Sequence, residues 1–128
     1  MFRLTIPTAL FLMPMPLLAQ AAEPARVEID LSSFQYEPAT ITLDHGRPYV
    51  LHLVNKSGKG HDFVAKAFFA AANVANEDRA RTAKGGIELE GDQSVDIHLT
   101  APPPGSYDVH CSHFMHSAFG MKATIIVR

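Results

Sequence analysis

Four residues in two separate parts of the chain form a donor set that suits a soft metal ion. Cys111, His116 and Met121 follow one another at intervals of five residues, and His61 lies about fifty residues upstream. One thiolate, two imidazoles and one thioether are nitrogen and sulfur donors, which suit copper that alternates between Cu(I) and Cu(II). Two His and one Cys in a trigonal arrangement with a weak axial Met make a blue copper site. The spacing therefore indicates one mononuclear copper centre.

Each of these residues also has an ordinary structural interpretation. Cys111 could be a buried inert thiol and Met121 a core residue, because both side chains pack well in interiors. His61 and His116 could be histidines whose hydrogen bonds are satisfied within the fold. His113, two residues after Cys111, is an alternative to His116 or an additional donor. Zinc accepts Cys and His, but Met is a poor zinc ligand, so the set as a whole favours copper.

Composition excludes several classes of protein. A single cysteine rules out an intramolecular disulfide, an iron–sulfur cluster and any centre that needs two thiolates. The formal charge is −2 and no basic block stands out, which argues against nucleic-acid binding. Cys and His could form a thiol hydrolase dyad, but no Gly-rich oxyanion loop accompanies them. We therefore expect that the protein is not an enzyme and has no small-molecule substrate. We also expect it to be a monomer.

The first residues are typical of a signal for export. Met1–Arg3 gives a short positive start, residues 4–18 are mostly apolar, and Ala19 and Ala21 provide small residues before a cleavage site. The alternative is a membrane anchor, but the run is short and contains prolines. We predict a signal peptide over residues 1–21, a single copper-binding domain over 22–128 and a periplasmic location. An exported free thiol would be a liability unless something bound it.

Most of the remaining chain alternates between apolar and polar residues. This period of two, which runs through 27–32 and 95–99 and recurs elsewhere, is typical of strands with one buried face. Residues 65–83 differ, because Phe68, Ala72 and Arg79 recur there at helical spacing. The pattern predicts an all-β protein, a Greek-key β-sandwich of seven or eight strands with one inserted helix around residues 65–83. Phe68 and Phe69 are expected to face inward.

Two segments resemble the cupredoxins, the small blue copper proteins that include plastocyanin, azurin, auracyanin and rusticyanin. The run Gly105-Ser-Tyr-Asp-Val-His-Cys111, ending in His116 and Met121, is similar to their C-terminal copper loop, and the ligand spacing looks most like that of rusticyanin and auracyanin. Gly60-His61-Asp-Phe resembles their upstream Gly-His-Asn motif. The resemblance implies that His61, Cys111 and His116 are equatorial ligands and that Met121 is axial.

The resemblance also implies roles for two neighbours of these ligands. Asp62 and Ser112 fall where the family joins its two ligand-bearing segments by hydrogen bonds, which orient the ligands. Asp62 departs from the family pattern, because Asn is usual at this position. A carboxylate close to copper would favour Cu(II) and lower the reduction potential.

Two functions fit these features. The first is a one-electron carrier that meets redox proteins through an apolar rim around His116, made by Phe114, Met115 and Phe119. The alternative is a copper-binding protein for copper tolerance, sequestration or delivery. His110, His113 and Met115 crowd the site and lend this alternative weight. His45 and His52 are expected to be structural, and His98 is expected to face solvent.

Overall fold

Two five-stranded sheets make up the fold in the computed structural model, which describes residues 11–18, 23–113 and 118–128. The first sheet has the order β2-β1-β4-β8-β6 and the second the order β3-β10-β9-β5-β7. The strands are β1 Ala25–Ser32, β2 Gln35–Glu37, β3 Thr40–Leu43, β4 Pro48–Asn55, β5 His61–Val64, β6 Asn73–Val74, β7 Gly86–Leu89, β8 Ser94–Thr100, β9 Gly105–His110 and β10 Lys122–Val127. This architecture confirms the predicted all-β sandwich.

The core lies between the sheets and is built from the inward half of each alternating strand. In β4, Tyr49, Leu51 and Leu53 are buried while the residues between them are half-buried. Aromatic rings extend this core toward one end of the second sheet. Tyr36 packs edge-on against Phe63, with ring centroids 5.7 Å apart. Strands with one apolar face specify their register strongly, because a slip by one residue would expose that face.

Strand positions agree closely with the alternation in the sequence. The alternating segments 27–32 and 95–99 lie in β1 and β8, and β4, between these two strands, is the middle strand of the first sheet. Three short strands, β2, β6 and β7, were not predicted, and each lies at the edge of a sheet. β2 and β6, with three and two residues, carry too few residues to show a period of two.

The segment predicted as one helix, 65–83, is instead broken. Helix α1 spans Lys66–Ala71, β6 follows, a 3₁₀ turn covers Asn76–Asp78, and helix α2 spans Arg79–Thr82. Val74 is buried and pairs with Leu99 of β8, and Ala75 N donates to His98 O at 2.9 Å. These sheet contacts require extended backbone and outweigh helical spacing, since a short isolated helix is marginal in water. Phe68 and Phe69 face inward as predicted, at 0% and 6% exposure.

The described part of the N-terminal segment, residues 11–18, is exposed and contains no helix or strand. In the described ranges, no helix has both the length and the apolar character needed to cross a membrane.

Candidate metal centre

Strand register brings the two ligand-bearing segments together at one end of the second sheet. β5 pairs with β9 through Val64 and His110 in antiparallel register. Continued past the end of β9, that register places Asp62 opposite Ser112. β10 pairs with β9 through Lys122 and His110, so the next opposed pair is Cys111 and Met121. Residues some fifty positions apart in sequence thus become neighbours without any long excursion of the backbone.

Cys111 and Met121 are joined through their backbones and are both fully buried. Cys111 N donates to Met121 O at 3.2 Å, and each residue has 0% exposure. Cys111 follows Val109 on the inward face of the strand, as the alternation predicts. The predicted thiolate and thioether donors therefore come from opposed residues in a dry part of the fold.

His61 lies at the start of β5 and is 2% exposed. Its Nε2 atom is removed from solvent. The imidazole of His113 lies across from it, with ring centroids 6.2 Å apart and an interplanar angle of 28°. The structure thus places three of the four predicted ligands, His61, Cys111 and Met121, in the buried end of one sheet. His116, the fourth, lies outside the described residues.

Asp62 connects the start of β5 to the segment after Cys111. Ser112 N donates to Asp62 Oδ1 at 2.7 Å, and the Ser112 hydroxyl donates to Asp62 Oδ2. Tyr36 Oη donates to Asp62 O at 2.5 Å from the opposite side. The two residues that the resemblance pairs are therefore in hydrogen-bond contact. A carboxylate suits this position because both of its oxygens accept a hydrogen bond from Ser112, whereas Asn would offer one acceptor.

The environment of Cys111 acts on its thiol in two opposing ways. Burial is the larger effect and raises the pKa of the thiol, because a charge is costly away from water. Hydrogen bonds from the backbone of Asp62 and of His113 favour the thiolate and lower the pKa, whereas the side chain of Asp62 adds to the increase. Tyr36 also has a raised pKa, chiefly through burial and then through the charges of Cys111 and Asp62, so its hydroxyl remains a hydrogen-bond donor.

His113, predicted as an alternative or additional ligand, contacts Glu88 of β7. Its Nε2 atom lies 2.9 Å from the Glu88 carboxylate, and its side chain is 32% exposed. Gly60 leaves room for this approach, because a Cβ there would lie close to both side chains, 3.1 Å from Glu88 Oε1 and 3.4 Å from His113 Cε1. Donor atoms of Asp62, Glu88 and His113 lie within 4.8 Å of one another. His113 therefore lies at the rim of the centre.

The loop between Cys111 and Met121, residues 112–120, is called the ligand loop below. Within it, the predicted contact residues Phe114 and Met115 lie outside the described residues, as does His116. Phe119 is described and is 62% exposed, and its ring packs against Phe34 with centroids 5.2 Å apart.

Two of the other histidines, His52 and His98, contact carboxylates away from the centre. His52 Nδ1 lies 2.5 Å from Asp96 Oδ1, and His98 Nδ1 lies 2.9 Å from Asp78 Oδ2. His110 is half-buried on the face opposite the one that carries Cys111, as the alternation predicts.

Asn55 has a central role that sequence reasoning missed. It is 1% exposed, and its Nδ2 donates to Lys59 O at 2.7 Å, Glu90 O at 3.0 Å and Leu89 O at 3.2 Å. Its Oδ1 accepts from Ser57 N at 3.0 Å and from Ser57 Oγ at 2.9 Å. Asn55 thus fixes the conformation of the turn that leads to Gly60 and His61. The signal was an Asn at a strand end with Ser two positions on, which is typical of an Asx turn.

The donors that the structure brings together fit a copper ion. An imidazole, a thiol and a thioether lie in a buried region, and backbone groups favour the charged form of the thiol. Neither Zn²⁺ nor a hard cation such as Mg²⁺ would use the thioether. This combination of nitrogen and sulfur donors suits a soft metal such as copper.

Comparison with known proteins identifies a family. The family model for the cupredoxin-like domain matches residues 4–127. No curated protein sequence matches the chain significantly.

Solved structures show the same fold at low sequence identity. Auracyanin of Roseiflexus castenholzii is 21% identical, with a TM-score of 0.60 over 84% of this chain and 99% of that protein. Auracyanin A of Chloroflexus aurantiacus, described as a "blue" copper protein, is 18% identical, with a TM-score of 0.58 over 83% and 100%. A multicopper oxidase of Campylobacter jejuni is 12% identical, with a TM-score of 0.60 over 88% of this chain but 32% of the oxidase.

Proposed function

The chain belongs to the cupredoxin-like domain family, and we propose that it binds a single copper ion as a type 1 centre and carries one electron at a time between redox proteins. His61, Cys111 and Met121 would hold the ion, together with His116 of the ligand loop. The observation that supports this proposal is the burial of the first three at one end of a sheet, where Cys111 N donates to Met121 O.

Copper bound there would supply a reversible Cu(I)/Cu(II) couple. The protein's residues would shield the ion from water and hold its ligands in position. The buried ends of β5, β9 and β10 exclude water from the donors. Hydrogen bonds from the backbone of Asp62 and His113 stabilise the Cys111 thiolate. The two bonds between Asp62 and Ser112 fix the segments that carry His61 and Cys111 relative to each other. A site held in this way moves little when the charge at its centre changes, and so favours fast electron transfer.

The test is an absorption and EPR spectrum of the copper-loaded protein. We expect an intense band of thiolate-to-copper charge transfer that disappears on chemical reduction and returns on reoxidation. Cys111→Ala should abolish the band and most of the copper affinity. His98→Asn, which alters an imidazole bound to Asp78 on the other sheet, should change neither. If Cys111→Ala bound Cu(II) as tightly as the parent, the assignment of the centre would be wrong.

The same copper-loaded samples distinguish an electron carrier from a protein for copper tolerance or delivery. A carrier should bind one copper per chain and should cycle rapidly between oxidation states. Weak colour, slow cycling or a second bound copper would favour copper handling. Asp62, Glu88 and His113 are the described residues nearest the centre whose donor atoms cluster, so a second copper would be sought there.

Export and partner binding belong to the same proposal. The signal-like residues 1–21 support transport to the periplasm, and the mass of the protein recovered from that compartment should correspond to a chain starting at Ala22. The exposed Phe119, near the end of the ligand loop, supports contact with redox proteins at this end of a monomer. Recovery of the uncleaved chain from the membrane fraction would contradict the export proposal.

A further inference from the structure

Two exposed aromatic side chains meet beside the ligand loop. Phe34 lies at the tip of the hairpin between β1 and β2 and is 41% exposed, and Phe119 is 62% exposed. In the described ranges 23–113 and 118–128, these are the exposed large apolar side chains. Their ring centroids lie 5.2 Å apart at an interplanar angle of 54°. The contact joins a hairpin of the first sheet to a loop of the second.

The backbone of Phe34 is unusual for a bulky residue. Its φ is 62°, in the left-handed region where a Cβ crowds the chain and where Gly or Asn is the common choice. Tight hairpin turns usually place Gly, Asn or Asp at such positions. A benzyl side chain there is disfavoured locally, but it makes a ring contact with Phe119 that Gly or Asn could not make.

The ligand loop is fixed differently at its two ends. At its start, Ser112 is bound to the carboxylate of Asp62. At its end, Gly120 has a φ of 92° and the backbone then enters β10. Phe119 directly precedes this glycine, the residue type that costs most to order. The ring of Phe34 is therefore placed to restrain the end of the loop at Phe119, two residues before Met121.

We propose that Phe34 is a positioning residue for the copper centre. Its ring packs against Phe119, limits the motion of residues 118–120 and so holds Met121 in place against Cys111. The proposal rests on the proposed function, because it assigns Phe34 a role in a centre that contains Met121.

The first test uses copper-free protein and amide hydrogen exchange. The amide of Cys111, which donates to Met121 O, reports on this end of the loop. Phe34→Asn removes the ring and suits the left-handed backbone, so global stability in urea should be unchanged or higher while the Cys111 amide exchanges about two to ten times faster. Phe34→Tyr keeps a ring and should exchange like the parent. The double variant Phe34→Asn/Phe119→Ala should exchange no faster than Phe34→Asn alone.

The second test uses copper-loaded protein. Phe34→Asn should shift the EPR parameters that report on the axial ligand and should speed copper release, and Phe34→Tyr should do neither. Parent-like exchange at Cys111 in Phe34→Asn, or additive effects of the two substitutions, would overturn the proposal. Absence of the thiolate-to-copper band in the parent protein would instead defeat the proposed function and leave the copper-free exchange result standing.

Discussion

The bonds between Asp62 and Ser112 are expected to hold the centre together whether or not metal is bound. Ser112→Ala removes the hydroxyl that donates to Asp62 Oδ2 and keeps the backbone bond to Oδ1, which is 2.7 Å long. A hydrogen bond to a charged group contributes about 1.5–3 kcal/mol, and the exposure of Ser112 favours the lower end. We therefore expect Ser112→Ala to lower the free energy of unfolding by about 1.5 kcal/mol.

Asp62→Ala removes both acceptors and should cost about 3 kcal/mol, twice the effect of losing one bond. Once Asp62 is gone, the Ser112 hydroxyl has lost its partner, so the double variant should be about as stable as Asp62→Ala. The coupling energy should thus be about 1.5 kcal/mol.

The assay is urea denaturation of the copper-free protein, followed by circular dichroism. With a slope of about 1–3 kcal/mol per molar urea, Ser112→Ala should shift the midpoint by roughly 0.5–1.5 M. Ser106→Ala makes the same chemical change on the exposed stretch of β9 and should leave the midpoint within error. Additive losses in the double variant, with coupling below about 0.3 kcal/mol, would refute the reasoning that the two side chains act as a unit.

Three further predictions concern the scaffold. Asn55→Ala should lower the free energy of unfolding by about 2–4 kcal/mol, measured in urea against the exposed Asn73→Ala, because a buried side chain that bonds three carbonyls is lost. Gly91→Ala should destabilise by about 1–3 kcal/mol and more than Gly60→Ala, since the new Cβ would lie 2.6 Å from the Gly58 backbone rather than near movable side-chain ends; equal midpoints would contradict this. The hydrogen bond from His52 lowers the pKa of Asp96 below its usual 3.8, and the neighbouring Arg26 contributes less. The ionised Asp96 therefore stabilises the fold above pH 3.8, and this stabilisation is lost as the pH falls through the lowered pKa. Asp96→Asn should therefore flatten the acid limb of a plot of stability against pH, and an unchanged limb would count against the contact.

The parts of the fold that could be predicted depend only on which residues within a single strand are buried. Residues 27–32 lie in β1 and residues 95–99 in β8 because both segments alternate between core and surface, and the same alternation correctly placed Cys111 inward and His110 outward. The spacing of Cys111 and Met121 likewise reflects a local feature, a loop between two adjacent strands.

The parts that could not be predicted depend on segments far apart in the chain. Residues 65–83 are not one helix because Val74 pairs with Leu99. The position of His113 depends on Glu88 of β7, which lies 25 residues earlier in the chain. Asn55 donates hydrogen bonds to carbonyl groups more than thirty residues away, whereas an Asn at a strand end predicts only a turn.

Apart from the backbone hydrogen bonds to the Cys111 sulfur, the contacts that hold the candidate ligands in place do not involve the atoms that would bind copper. Asp62 and Ser112 bond through a carboxylate and a hydroxyl, Asn55 through its amide, and Cys111 and Met121 through their backbones. Removing or oxidising the metal therefore breaks none of these contacts. The conformational entropy of these residues is lost when the protein folds. Little further ordering or rearrangement is therefore needed when the charge at the centre changes. A scaffold of this kind favours a centre that changes charge without changing shape, which is what transfer of a single electron requires.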